Sequence, residues 1–270
     1  IAAGARDGWA YVWPRDVGTA ALAYAAAGYQ REAERASRFL LGLGLGEAAR
    51  FHGDGRPVAG RAAQGDAIGW VAAAAQATGS IGSATHGARI LSSTHPIPWR
   101  ERPDYQEGDS GDYLGNAIAS GGPLVGFQSG RGLVRRAGDP GSGLDAAAAW
   151  AVRPFPRPRH FAAARRTLRQ LVATGTRFGI VPGEAWPGTD PWTAPTAWSA
   201  WSLAALAAED GGTRADRRTA LRLFGALRRA STPAGALPER VDAHTGVPAS
   251  TTPLVWPHAF AILALRELWP

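Results

Sequence analysis

The chain has 270 residues, 45% of them hydrophobic, with no cysteine and a formal net charge of +7 from 29 arginines, no lysine and 22 carboxylates. That length suits one large globular domain, no run comes near the roughly 18 apolar residues of a membrane span, and the missing cysteines exclude disulfides, a thiol nucleophile and thiolate metal sites. The arginines are scattered among acidic residues, with only doublets such as Arg135-Arg136, Arg165-Arg166 and Arg228-Arg229, so they make no basic stripe of the kind that nucleic acid recognition needs.

The first element is also the richest in chemistry. Asp7-Gly8-Trp9-Ala10-Tyr11-Val12-Trp13-Pro14-Arg15-Asp16 gathers two indoles, a phenol and an adjacent Arg-Asp pair before an alanine-rich helical pattern. A hexose offers apolar C–H faces for aromatic rings and a rim of hydroxyls that both donate and accept. A carboxylate only accepts and a guanidinium only donates, so such a pair binds neighbouring hydroxyls with a definite polarity. The plainer reading makes Asp16 a helix cap, Arg15 half of a surface ion pair and the tryptophans core.

The alanine and leucine run predicts a helix over Asp16–Ala27, with Gly28 placed to end it in a left-handed cap. A second helix is predicted over Gln30–Leu41, with Ala33, Ala36 and Leu40 on one face and Glu34 four residues before Arg38 on the other. Phe51–Gly60 reads as a turn or short hairpin. Gln64-Gly65-Asp66 opens a third helix running to about Thr78, with Asp66 as its expected N-cap. Between Gly79 and Arg100 the pattern supports at best one short helix inside loop.

The stretch from Trp99 to Tyr113 carries the carboxylates Glu101, Asp104, Glu107, Asp109 and Asp112 with no regular period, so it reads as an acidic loop. Crowded carboxylates shielded from water raise the pKa of at least one member, which a general acid at neutral pH requires. Helices are then predicted over Leu114–Phe127, Leu144–Val152 and His160–Gly175, the last with Phe161, Leu168 and Leu171 inward and Arg165 and Arg169 outward.

The loop Gly179–Trp192 again mixes carboxylates with indoles, and leads into a helix over Pro195–Ala208 that is apolar around most of its circumference. An amphipathic helix follows over Arg214–Ala230, with Leu221, Phe224 and Leu227 opposite Arg218, Arg222 and Arg229. Residues 236–242 and 251–258 flank a turn at Ala243–Gly246, and the last helix is predicted over Leu254–Leu268. Nine or ten helices and no convincing strand set make an all-α domain of successive helical hairpins. Long loops at every second junction hold nearly all the Trp, Tyr, Asp and Glu, so helices closed into a double ring would gather those loops at one mouth.

In chain order, Trp13-Pro14-Arg15-Asp16, Gln64-Gly65-Asp66, Pro103-Asp104-Tyr105-Gln106-Glu107, Pro182-Gly183-Glu184 with Pro191-Trp192, Leu237-Pro238-Glu239, and Thr252-Pro253-Leu254-Val255-Trp256-Pro257-His258 resemble the glucoamylase-like glycoside hydrolases of family 15. The resemblance implies an (α/α)6 toroid formed by residues 1–270 as a single catalytic domain, and an inverting, exo-acting α-glucoside hydrolase that releases glucose from the non-reducing end of short α-glucans or oligosaccharides. It matches Glu107 to the general acid and Glu239 to the general base. Arg15 and Asp16 match the pair that grips the terminal glucose, while Tyr11, Trp13 and Trp256 fall in its aromatic surround. Glu184 and Trp192 match the loop lining the next sugar position. Inversion implies carboxyls roughly 6.5–9.5 Å apart with a water between them.

The chain departs from that pattern at Gln106, where members commonly have Trp, at Pro257, in the shorter stretch from Gly79 to Arg100, and in lacking the first helix of the toroid before Ile1. With no Met at the start and no signal-peptide order of regions, it is expected to be an N-terminal truncation of a cytoplasmic protein. No metal or other cofactor, membrane or nucleic acid is expected, the partner is an α-glucan or oligosaccharide substrate, and oligomeric state and linkage preference are not legible. The alternative reading is a catalytically impaired carbohydrate-binding toroid. A terpene-cyclase type of helical toroid would need an acidic motif dedicated to a cation or diphosphate, and none is evident.

Overall fold

The computed structural model describes residues 1–82, 86–88, 91, 99–209 and 211–270, the side chain of Asp7 aside. They form two compact units, Ile1–Gly126 and Phe127–Pro270. The short helix expected between Gly79 and Arg100 falls for the most part outside the described residues.

The first unit is built on α1 (Pro14–Ala26), α2 (Gln30–Leu41), α3 (Ala67–Ala77) and α4 (Leu114–Ala119). Pro14 takes the first position of α1, where its fixed φ suits a helix and no N–H is needed. The helix closes as its sequence predicts: Gly28 is left-handed at φ 87°, Tyr29 N–H donates to the Tyr24 carbonyl at 2.8 Å and Gly28 N–H to that of Ala25 at 3.1 Å. Ala33, Ala36 and Leu40 of α2 are buried, and Leu40 joins Val17, Leu45, Phe51, Ile68 and Val71 in one core cluster. Phe51 bridges Val12 on one side and Pro57 on the other, which makes the predicted turn a short hairpin.

Gly69 lies inside α3, where alanine would ordinarily be favoured by about 0.5–1 kcal/mol. A Cβ there would stand 2.2 Å from the carbonyl oxygen of Ala119, at the end of α4. Glycine is therefore what lets these two helices meet, and Gly69→Ala is expected to lower stability by about 1–3 kcal/mol, the cost of overpacking a closed contact. A denaturation midpoint equal to or above that of the parent chain would contradict this. α4 stops well short of the predicted Phe127. Left-handed Gly121 lets Gly122 N–H turn back onto the Ala117 carbonyl at 2.7 Å, and Pro123 has no N–H to continue the ladder. A single 3₁₀ turn follows at Val125–Phe127.

The second unit begins with a feature the sequence pattern did not predict, an antiparallel hairpin of β1 (Val134–Arg136) and β2 (Asp139–Leu144). Its second strand reads Asp-Pro-Gly-Ser-Gly-Leu, with neither alternation nor β-formers. The two-residue turn Ala137-Gly138, with Gly138 at φ 72°, imposes the pairing instead. The predicted helix over Leu144–Val152 is a 3₁₀ segment, Ala146–Ala151, capped by Asp145, whose Oδ1 accepts from Ala147 N–H at 2.7 Å.

Then come α5 (Phe161–Thr174), α6 (Thr193–Ala208), α7 (Arg214–Ala230) and α8 (Val255–Leu268). α6 is buried from Thr193 through Leu206, as its circumferential hydrophobicity predicts, and packs on α7, α8 and the 3₁₀ segment. Two of its side chains satisfy carbonyls of that segment: Trp198 Nε1–H donates to Ala146 O at 2.9 Å and Ser202 Oγ–H to Ala149 O at 2.8 Å. Trp198 also meets Trp150, Trp256 and Phe260 edge to face, at 5.2, 5.4 and 5.5 Å between ring centroids.

The phase of α7 differs from its apolar pattern. Asp216, Ala220, Leu223, Leu227 and Ala230 face inward, Leu221 is exposed and Phe224 is half-buried. A carboxylate sets this register: Asp216 closes a capping box with Thr213 and lies fully buried against Arg165, 3.2 Å away, and Arg169, 2.8 Å away. The same network draws Arg165 of α5 partly inward, while Arg169 reaches Asp216 and stays exposed as expected, and Phe161 is left half-buried rather than in the core.

Candidate active site

In the first unit the aromatic and charged residues of the opening stretch gather around α1 and the acidic loop. Trp13 is the N-cap residue of α1 and is buried, and its indole N–H donates to no acceptor among the described residues. The guanidinium of Arg61 lies over its ring, 5.6 Å from the centroid, and ion-pairs with Glu107. Tyr11 packs edge-on against His52 with Arg50 over its face at 4.8 Å. Arg15 and Asp16 are both buried at the start of α1, rather than a surface pair and a solvent-facing cap.

Arg15 Nη1 donates to Asp66 Oδ2 at 2.7 Å and to Gln64 Oε1 at 2.9 Å. Asp66 stands at the N-cap position of α3 with φ −84° and ψ −16°, yet its side chain makes no cap hydrogen bond. Its Oδ2 also accepts from Trp70 Nε1–H at 3.2 Å. The expected cap is therefore a buried ion-pair partner, because a guanidinium from another element outbids a backbone N–H.

Glu107 sits at the end of a tight turn. Asp104 Oδ1 accepts from Gln106 N–H at 3.0 Å, and the Asp104 carbonyl accepts from Glu107 N–H at 3.0 Å. Glu107 itself is left-handed at φ 56°, an uncommon conformation for a residue with a Cβ, and such strain gathers at functional sites. Gln106, where the resemblance leads one to expect Trp, is buried and donates to the Tyr105 hydroxyl at 2.9 Å. Asn116 of α4 ties the loop down by donating to the carbonyls of Pro103 at 3.1 Å and Arg102 at 3.3 Å. The Glu107 carboxyl is engaged by Arg61 and is open to another partner only when the pair parts. With 37% and 38% of the two side chains exposed, parting costs little.

In the second unit Glu239 is half-buried and held by its backbone from two sides: its N–H donates to Thr251 O at 2.9 Å, and its carbonyl accepts from Thr193 N–H at 2.9 Å. Ser250 Oγ–H donates to Glu239 Oε2, while Oε1 accepts from no protein donor among the described residues. The segment bearing Glu239 is pinned to α8 by His258, whose Nε2 accepts from Leu237 N–H at 3.0 Å and whose Nδ1 lies 2.6 Å from the Leu254 carbonyl. Asp242 closes the following turn, and the N–H of Thr245 holds its carboxyl below the usual carboxylate range. Trp192 is buried, pairs its backbone with Ile180 and Arg240, and meets Trp186 edge to face at 4.9 Å. Trp256 is buried against Trp198.

Glu184 differs from Glu239 in having both oxygens engaged. Arg131 grips it bidentately, Gln170 braces that guanidinium, and Leu144 N–H donates to Oε2 at 3.1 Å. A carboxylate so held presents both of its oxygens as acceptors already in use. Sequence reasoning missed Arg61, Arg131 and Ser250. None lies in a motif, and each reaches its partner across a loop, from 46, 53 and 11 positions away.

No protein-family model and no curated protein matches the sequence. Solved structures do match in fold. A wild-type glycosidase superposes with a TM-score of 0.79 at 20% identity, over 99% of this chain and 91% of that one. A glycosidase variant in complex with glucose gives 0.76 at 20% identity, over 96% and 88%. The glucoamylase of Saccharomycopsis fibuligera gives 0.75 at 13% identity, over 99% and 88%. This is the glucoamylase-like fold. Nearly the whole chain takes part in it, in agreement with the all-α class that the helical periodicities predict. Within the second unit α6, apolar around most of its circumference, is enclosed by its neighbours.

Proposed function

We propose that the protein is an inverting, exo-acting α-glucoside hydrolase, in which Glu107 protonates the departing glycosidic oxygen and Glu239 takes a proton from the attacking water. The observation that carries this reading is the state of Glu239 on a glucoamylase-like fold: one carboxylate oxygen is anchored by Ser250 and the other carries no protein donor among the described residues. A general base needs that combination, since the anchor aims the group and the open oxygen receives the proton. Glu107, on a strained turn and ion-paired with the Arg61 whose guanidinium lies over the Trp13 indole, takes the role of acid in this reading. The fully engaged Glu184 supports the role of a held group facing the leaving sugar. Arg15, Asp16, Tyr11, Trp13 and Trp256 are proposed to surround the terminal glucose and Trp192 to line the next position, with both units belonging to one catalytic domain. A glycosidase of the same fold was solved with glucose, which supports a carbohydrate substrate.

Incubation with maltose, isomaltose and trehalose should release glucose from at least one, and NMR during the first turnovers should record the β-anomer. Release of the α-anomer would overturn inversion, and binding without release from all three would favour a carbohydrate-binding protein instead.

A further inference from the structure

The Gln64-Gly65-Asp66 motif has no catalytic role in the reading above, yet both of its polar side chains are buried beside Arg15. We propose that Gln64 is a positioning residue that couples Arg15 to the turn carrying Glu107. Its side chain spans the two groups: Oε1 accepts from Arg15 Nη1 at 2.9 Å, and Nε2 donates to the Asp104 carbonyl at 2.9 Å. That same carbonyl accepts the N–H of Glu107 at 3.0 Å, closing the turn. The chain Arg15, Gln64, Asp104 and Glu107 is thus continuous, and Asp66 steadies its first member by taking the same Arg15 Nη1 at 2.7 Å.

An amide suits this place. Arg15 offers a donor and the Asp104 carbonyl offers an acceptor, so the bridging side chain must accept at one end and donate at the other. A carboxylate would serve Arg15 and repel the carbonyl, and an ammonium would do the reverse. Gln64, Asp66, Asp104 and Arg15 are all at least 94% buried, so solvent screens none of these bonds appreciably. A sugar that engages Arg15 therefore bears, through one rigid amide, on the turn that aims the acid.

The inference rests on the assignment of Glu107 as the acid, and its test separates the two. Gln64→Glu keeps the acceptor for Arg15 and loses the donor to Asp104. It is expected to lower kcat on the best disaccharide by about 10- to 100-fold, as a small misplacement of a reacting group does, with KM changed by less than about threefold. The amide of Glu107 should exchange with solvent about 10-fold faster, with the amides of α3 unchanged. Gln64→Met adds no charge and removes both bonds. It should show the same loss of kcat, the same exchange at Glu107 and a raised KM. The proposal is overturned if kcat stays within twofold and Glu107 exchange is unaltered in these variants, or if α3 exchanges faster to the same extent, which would mark a general loss of structure. A parent chain that releases no glucose would sink the assignment of function alone, and exchange at Glu107 would still decide the coupling.

Discussion

Glu239→Gln is expected to lower kcat for glucose release by about 10²–10⁴-fold while leaving glucose affinity, read by calorimetry, within a few-fold of the parent. The amide is isosteric and keeps an acceptor for Ser250, so the backbone anchors at Thr193 and Thr251 and the shape of the site persist. What it cannot do is take the proton from water. Glu107→Gln should cost a similar factor for a different reason, since the amide cannot protonate the departing oxygen. The two losses are distinguishable. A substrate with a leaving group that needs no protonation, such as an aryl glucoside or a glucosyl fluoride, should restore most of the rate to Glu107→Gln and none to Glu239→Gln. The base acts ionised and the acid protonated, so removing Glu239 should flatten the acidic limb of the pH–rate profile and removing Glu107 the alkaline limb. Glu184→Gln should mainly raise KM. If instead it proved more damaging to kcat than Glu107→Gln, Glu107 would not be the acid.

Asp216→Ala is expected to be the most damaging single change to stability away from the acidic loop, at about 3–5 kcal/mol. The carboxylate is fully buried and meets Arg165 at 3.2 Å and Arg169 at 2.8 Å, so its removal leaves two guanidinium groups beside an apolar helix face with no counter-charge. It also supplies half of the capping box of α7, accepting from Thr213 N–H at 3.3 Å, a contribution of about 1 kcal/mol. Asp216→Asn retains an oxygen for the cap and loses the charge, so it should fall between the two. Urea denaturation of the three proteins measures the order. A loss under about 1 kcal/mol in Asp216→Ala would mean that the arginines find solvent freely and that the pair does not set the phase of α7.

The elements that could be read in advance are those whose information is local. α2 follows from 3.6-residue periodicity, the end of α1 from a glycine at one position, and the enclosure of α6 from an apolar surface around most of its circumference. Readings failed where a distant group intervened. Leu221 and Phe224 have the spacing of a buried face, yet Asp216 turned α7 to meet the arginines of α5. Asp66 has the sequence position of an N-cap, yet Arg15 claimed its carboxylate. The hairpin over residues 134–144 has no strand signal at all, because a turn creates it rather than a propensity.

The same division holds for the site. Sequence alone determined which residue types are present and in what order: the indoles and Arg-Asp pair before α1, the carboxylates of the acidic loop, and a glutamate after Leu237-Pro238. It also determined the all-α class, because helix periodicity and end signals are written within a dozen neighbouring residues. Only the tertiary structure decided what each group is bonded to, and therefore what it is able to do. Glu184 and Glu239 are the same side chain in similar loops, and apart from the family resemblance nothing in the residues around them separates their chemistry. One is clamped on both oxygens by Arg131 and a backbone N–H, and the other is anchored on a single oxygen by a serine. That difference arises from contacts between residues far apart along the chain, which no local pattern encodes.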